Sequence, residues 1–319
     1  MLRSLRFQNF KAFPDLSFSS LKRVNLITGK NNTCKTGVLE GLDILLAPHQ
    51  MDFLPKIFRN GANLGDMREN YWKWLFHNRN TAQPVLISAT GDEFGGFSVA
   101  VFLGPGPTPA GYIPRWSAGP LVIAVNDPAS LLLLSGVTAL SVRPTEPQQD
   151  ALDYDRVVLK SGGEARIEAL LRKIEPRLRT IRSISPLGAH LLYVDVGLKD
   201  KIPAAHLGQG FIRLLSIYAE IIASGKKVLL IDEFENGLHY SVLTEVWRGI
   251  LNAVQQENVQ VFATTHSYEC IKAAHAAFSE TAEYDFALHR LEEAKGEIQV
   301  TTFDKETLGA ALGSNFEIR

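Results

Sequence analysis

The sequence predicts an α/β protein with a mixed sheet and a parallel core, joined to an antiparallel β region near the N-terminus. Three observations predict it. Apolar runs at 24–28, 227–231 and 259–265 read as buried parallel strands, apolar on both faces. Helical patterns at 35–47, 211–223, 243–255 and 271–278 alternate with those runs, as in an open α/β sheet. Shorter β-branched and aromatic runs at 84–89 and 96–102 flank a Gly-Asp turn and read as strands.

In chain order, Leu2, Leu5 and Phe7 begin a strand, and residues 9–13 turn into a second one around 16–18. Residues 48–83 are mixed, and Tyr71, Trp72, Trp74, Leu75 and Phe76 predict a core-packed helix. The Gly- and Pro-rich stretch 104–114 predicts a surface loop, and 126–163 is irregular. Residues 164–182 place Ile167, Leu170, Leu171, Ile174, Leu178 and Ile181 at helical spacing, with Pro176 kinking or dividing the helix. Its polar face carries Arg166, Arg172, Lys173, Arg177, Arg179 and Arg182, with Glu164, Glu168 and Glu175 interspersed. A solvated face is the first reading of that pattern and contact with DNA or RNA the second. Near the end, 286–291 and 298–303 predict a hairpin around Lys295-Gly296.

The chain has 319 residues, 45% hydrophobic and 21% charged, ordinary values for a globular protein. A net charge of −1 argues against a whole-molecule field for nucleic acid or membrane. Two cysteines, Cys34 and Cys270, are too few for a disulfide framework and fit a reducing cytosol. No long apolar stretch opens the chain, and the runs 121–125 and 131–134 are too short to span a bilayer. The expectation is a cytoplasmic protein without a membrane segment.

Chemistry concentrates at four places. Gly29, Lys30, Asn31, Asn32, Thr33, Cys34, Lys35 and Thr36 lie between a strand and a helix and follow the phosphate-loop pattern G-x-x-x-x-G-K-[ST] at every position but one. Successive backbone N–H groups and the helix N-terminus would collect a polyphosphate, Lys35 would add a charge, and the Thr36 hydroxyl would ligate Mg²⁺. Cys34 stands where the second glycine belongs, in a backbone geometry that a Cβ disfavours. The strand 227–231 delivers Asp232 and Glu233 to its C-terminal edge, where ligands sit in open α/β sheets. Asp232 is expected to hold Mg²⁺ opposite Thr36, and Glu233 to orient or deprotonate water. The next strand ends in Thr264, Thr265, His266 and Ser267, so His266 is expected near the γ-phosphate or the water. Leu207, Gly208, Gln209 and Gly210 open a helix and form a second anion site, suited to a nucleotide held by another chain.

These segments, with Glu235, Asn236, Gly237, Leu238 and His239, occur in the order of an ABC-type ATPase head. They resemble its Walker A, signature, Walker B, D-loop and H-switch motifs. The nearest resemblance is to the soluble branch shared by SMC-, RecF- and OLD-type ATPases, carried by Asn31, residues 10–13 and the Glu-Asn-Gly-Leu-His run. The resemblance implies a single P-loop NTPase domain over 1–319: a Walker A lobe at 1–125, a helical insertion at 126–205, and a lobe with the other motifs at 206–319. It further implies ATP and Mg²⁺ as cofactors, a homodimer closed through ATP, and work in DNA repair, genome maintenance or anti-phage defence with a separate effector. Departures are Cys34, a Leu-Gly-Gln-Gly signature without its usual serine, a Q-loop glutamine left open between Gln148 and Gln149, and no long heptad rod. Two other functions compete: a nucleotide-gated scaffold or sensor slowed by Cys34, and a transporter ATPase, against which the signature and the missing membrane segment speak.

Overall fold

The computed structural model describes residues 1–48, 72–104, 108–118, 121–127, 129, 137–140, 147–185, 188–223, 225, 227–314 and 317–319. Strands β1 (Leu2–Phe10) and β2 (Phe13–Phe18) form the first hairpin, and β3 (Val24–Gly29) leads through a loop into helix α1 (Lys35–Leu46). Strands β4 (Val85–Gly91), β5 (Phe94–Leu103), β6 (Ile113–Ala118) and β7 (Leu121–Val125) join that hairpin in one antiparallel sheet of order β2-β1-β4-β5-β7-β6. Along β4 the buried residues Val85, Ile87 and Ala89 alternate with less buried ones, the two-residue period of a sheet covered on one face.

Next come β8 (Val137–Leu140), helices α2 (Pro147–Val158) and α3 (Gly163–Arg172), and a small sheet of β9 (Thr180–Ile184), β10 (Leu191–Asp195) and β11 (Ile202–Pro203). Helix α4 (Gln209–Ala223) leads to β12 (Val228–Ile231), α5 (Leu243–Glu257), β13 (Gln260–Thr264), α6 (Tyr268–Ser279), the hairpin β14 (Phe286–Ala294) and β15 (Glu297–Phe303), and α7 (Lys305–Gly313). The second large sheet runs β15-β14-β3-β13-β12-β8, parallel except for β15.

Side-chain alternation along the buried strands splits the interior into two cores. Ile27, Val228, Leu230, Phe262 and Leu291 face α1 and the antiparallel sheet. Val24, Leu26, Leu229, Ile231, Val261 and Ala263 face the core that contains α4, α5 and α6. Phe7, Phe10, Phe13 and Phe18 knit the first core, with ring centroids of Phe7 5.6 Å from Phe10 and 5.8 Å from Phe13.

The structure corrects several expectations. Trp72, Leu75 and Phe76 are buried, but the described residues hold no continuous helix here: Trp72 is helical at the edge of the described stretch, Leu75 ends the 3₁₀ turn Lys73–Leu75, and Phe76 bridges Phe10 before a second turn, His77–Arg79. Trp74 is 55% exposed, with the Arg79 guanidinium 3.8 Å from its ring. Tyr71 and the run 131–134 lie outside the described residues. The helix expected over 164–182 ends at Arg172, before Pro176; Leu178 and Ile181 are buried from a turn and from β9. Ile113 and Pro114, expected in a loop, begin β6. The described residues of 126–205, expected as a helical insertion, hold helices α2 and α3 and also four strands, of which β8 pairs with β12 in the large sheet. Of the basic face, Arg166 pairs with Glu257 at 2.7 Å, Arg172 with Glu168 at 2.7 Å, Arg177 with Glu175 at 2.8 Å, and Arg182 with Glu164. That pairing fits the solvated reading. No helix among the described residues is long and apolar enough to cross a membrane.

Candidate functional site

Strand β3 is buried along its whole length between β14 and β13, so its C-terminal end emerges at the middle of the parallel sheet. Gly29 ends it at φ 146°, and a Cβ there would lie 2.4 Å from the Leu291 carbonyl oxygen on β14. Only glycine fits. The loop then folds on itself. The Thr33 hydroxyl donates to the Lys30 carbonyl at 2.9 Å, and the Lys35 ammonium donates to the carbonyls of Gly29 at 2.6 Å and Lys30 at 3.0 Å. Lys30, Asn31 and Asn32 are exposed, Lys35 buried.

Cys34 caps α1 with φ 61° and ψ 36°, the left-handed geometry anticipated for the position. A residue with a Cβ holds that conformation at a cost of about 1 kcal/mol or more. Burial raises the thiol pKa, with the Lys11 ammonium opposing. Lys11 pairs with Glu40 of α1, which ties the turn after β1 to the first helix.

Strand β12 delivers Asp232. Its carboxylate accepts from the Thr264 hydroxyl at 2.7 Å, and its two oxygens lie 3.2 and 3.3 Å from the Thr36 hydroxyl. Residues 196 positions apart thereby meet across two strand ends. Glu233 follows at φ 48°, its backbone N–H donating to Thr264 Oγ1 at 2.8 Å. Phe234 plunges into the core and stacks on Trp247 with centroids 3.9 Å apart, which anchors the acidic turn. Glu233 is half-buried and the His266 ring exposed, and neither side chain hydrogen-bonds another described residue.

The segment 207–210 lies on α4 and the turn before it. Gly208 has φ 91° and ψ 167°, with open space where a Cβ would be. Gly210 approaches the turn after Asp232 so closely that a Cβ would sit 2.3 Å from the Gly237 carbonyl oxygen. The structure thus brings Thr36 to Asp232, folds the Lys35 ammonium onto the carbonyls of its own loop, and sets Gly210 against Gly237. Gln148 and Gln149 lie exposed in the first turn of α2, where Gln149 donates to Asp153 at 2.8 Å.

Three residues have contacts for which the sequence reading gave them no individual role: Thr264, Arg213 and Glu235. The Arg213 guanidinium donates to the Asp232 carbonyl at 2.7 Å. Burial lowers its pKa, while Asp232, Glu233 and Glu235 counteract. Thr264 carries a signal, a hydroxyl closing an apolar strand beside Asp232's strand. Arg213 sits one turn into α4, near nothing acidic in sequence, and only the fold reveals its surroundings.

Residues 124–271 match the family described as "AAA domain, putative AbiEii toxin, Type IV TA system". That span includes residues 207–210, 232–239 and 264–267 and stops short of the 29–36 loop. A protein of Helicobacter pylori named "ATP/GTP phosphatase" is 23% identical over 322 residues, covering 85% of this chain and 87% of that protein. An SMC head bound to the C-winged helix domain of ScpA superposes with a TM-score of 0.63 at 12% identity, covering 97% of this chain and 99% of that one. The SMC head domain from Thermotoga maritima gives 0.54 at 13% identity, covering 95% and 99%. A Pyrococcus furiosus SMC head with an extended coiled coil, bound to the C-terminal domain of ScpA, gives 0.58 at 11% identity, covering 99% of each. The fold is therefore the mixed α/β fold of SMC heads, as the sequence predicted. These likenesses bear on ABC-type heads as a whole and do not single out the OLD-type branch.

Proposed function

We propose that this protein binds ATP at residues 29–36, hydrolyses it, and closes head to head with a second copy around two nucleotides. The observation that carries the reading is the meeting of Thr36 with Asp232 at the end of the loop whose carbonyls the Lys35 ammonium binds. A hydroxyl and one carboxylate at a strand edge fit Mg²⁺, which is held by one or two carboxylates together with substrate phosphates. Among the described residues no group of three or more His, Cys, Asp or Glu side chains gathers as a self-sufficient metal cage. Thr36 and Asp232 would hold the ion, which would neutralise charge on the phosphates. Lys35 exchanges loop carbonyls for phosphate oxygens, Glu233 orients and deprotonates water, and His266 contacts the γ-phosphate or that water. The match to an AAA domain and the relative named ATP/GTP phosphatase support hydrolysis. The SMC heads support a role with a partner protein, two of them being bound to a part of ScpA. Genome maintenance, DNA repair or phage defence with a separate effector is the setting we propose.

A second reading, an ATP-gated scaffold or sensor with slow turnover, is favoured by Cys34 in left-handed geometry. Calorimetry with ATP and Mg²⁺, paired with phosphate release, separates the two. The parent is expected to bind and hydrolyse, and Lys35→Ala to bind at least about tenfold more weakly, the loss of one charged contact. Binding as tight in Lys35→Ala as in the parent would refute the site, and tight binding without phosphate release would select the sensor.

A further inference from the structure

The turn after Glu233 carries another carboxylate, whose work is not explained by metal or phosphate. Glu235 Oε1 accepts the backbone N–H of His266 at 2.8 Å, reaching from the end of β12 to the end of β13. Its Oε2 is buried without a hydrogen-bond partner among the described residues. Withdrawing a carboxylate oxygen from water in this way is costly. The Arg213 guanidinium offsets part of that cost through space, and the hydrogen bond to His266 is what the carboxylate holds directly. The same turn is closed by Asn236 N–H to the Glu233 carbonyl at 3.0 Å and Leu238 N–H to the Glu235 carbonyl at 2.9 Å. The Gly237 carbonyl abuts Gly210 of the 207–210 segment. One short turn therefore grips His266 on one side and supports the second anion loop on the other.

We infer that Glu235 is a positioning residue for hydrolysis: it fixes the His266 loop to the turn that 207–210 presses on, so that seating of that segment is felt at His266. The inference rests on the ATPase reading above. Glu235 acts through His266, and its loss should slow turnover and leave ATP binding alone.

The test uses the full chain with Glu235→Ala, Glu235→Met and Glu235→Gln, each also combined with His266→Ala. Met keeps the length without an acceptor; Gln keeps a carbonyl oxygen for the His266 N–H. Glu235→Ala and Glu235→Met are expected to lower kcat about tenfold or more with KM within about threefold, while Glu235→Gln stays near the parent. In the His266→Ala background none of the three should cost more, because residues acting as a unit are not additive. Amide exchange in the peptide around 264–270 should quicken in the Ala and Met variants only. Additive losses, a Gln variant as slow as Met, or unchanged exchange would overturn the inference. An inactive parent sinks the ATPase reading itself, whereas an active parent with additive losses sinks this inference alone.

Discussion

The loop 29–36 and the segment 207–210 both open a helix, yet they are built in opposite ways. The first is closed by its own chain: Lys35 and Thr33 bond its carbonyls, Leu291 walls off Gly29, and Thr36 meets Asp232. The second is approached closely at Gly210 by Gly237 and Leu238 and has open space where a Cβ of Gly208 would be. A helix N-terminus offers free N–H groups to an anion. In the first case the chain surrounds the place where that anion would sit. In the second Gly208 and Gln209 are exposed, which suits the proposal that a two-fold partner completes that surface. On the proposed function, the difference teaches that binding and closure are separable, and mutations should split them.

The largest expected effect lies on the first side. Glu233→Gln should lower turnover by about 10²–10⁴ while ATP still binds, as for loss of a positioned base. Unchanged phosphate release in that variant would move the role to His266. A smaller, more selective effect should come from Gly208. Its φ of 91° with ψ 167° suits glycine almost alone, so any side chain there strains the turn. Gly208→Ala controls for that strain, and Gly208→Asp adds a carboxylate facing the partner's phosphate. In sedimentation with a slowly hydrolysed ATP analogue, the Asp variant should stay monomeric and the Ala variant should still dimerise, with monomer affinity for ATP alike in both. A parent that never dimerises would dissolve the comparison. The smallest effect is expected at Cys34→Gly. Release of about 1 kcal/mol of backbone strain should raise ATP affinity or turnover several-fold. A slower Gly variant with its fold intact, judged by melting, would mean that the loop has adapted to the cysteine and would favour the sensor.

Much of this was legible before any coordinates. The buried strands β3, β12 and β13 announce themselves as apolar runs, because a strand covered on both faces has no polar period to confuse it. The meeting of the 29–36 loop with Asp232 was legible because each follows a buried strand, and strands of one parallel sheet end at the same edge. Helix α2 was not. Its buried Ala151, Tyr154 and Val157 share the helix with buried Asp150 and Asp153, so apolar periodicity is faint. Leu178 and Ile181 misled for the opposite reason: their spacing continues the α3 stripe, but both reach the core from beyond Pro176. Trp74 was assigned inward by its size and turned outward because a 3₁₀ turn has no continuous buried stripe. Arg213 and Glu235 owe their surroundings to contacts between distant segments, which no local pattern records.

The position of β3 has a consequence for how the chain is made. This fully buried strand is synthesised within the first 29 residues, but its two neighbours, β13 and β14, begin at Gln260 and Phe286. At about 5–20 residues per second, an apolar strand with both edges unpaired waits on the order of ten to fifty seconds on the ribosome. Such an edge invites wrong pairing with a neighbouring chain. Lys22 and Arg23 stand immediately before the strand and Lys30 immediately after it. They bracket the apolar run with like charge, and two nascent copies brought edge to edge would set those charges against each other until the last fifth of the 319 residues arrives to cover them.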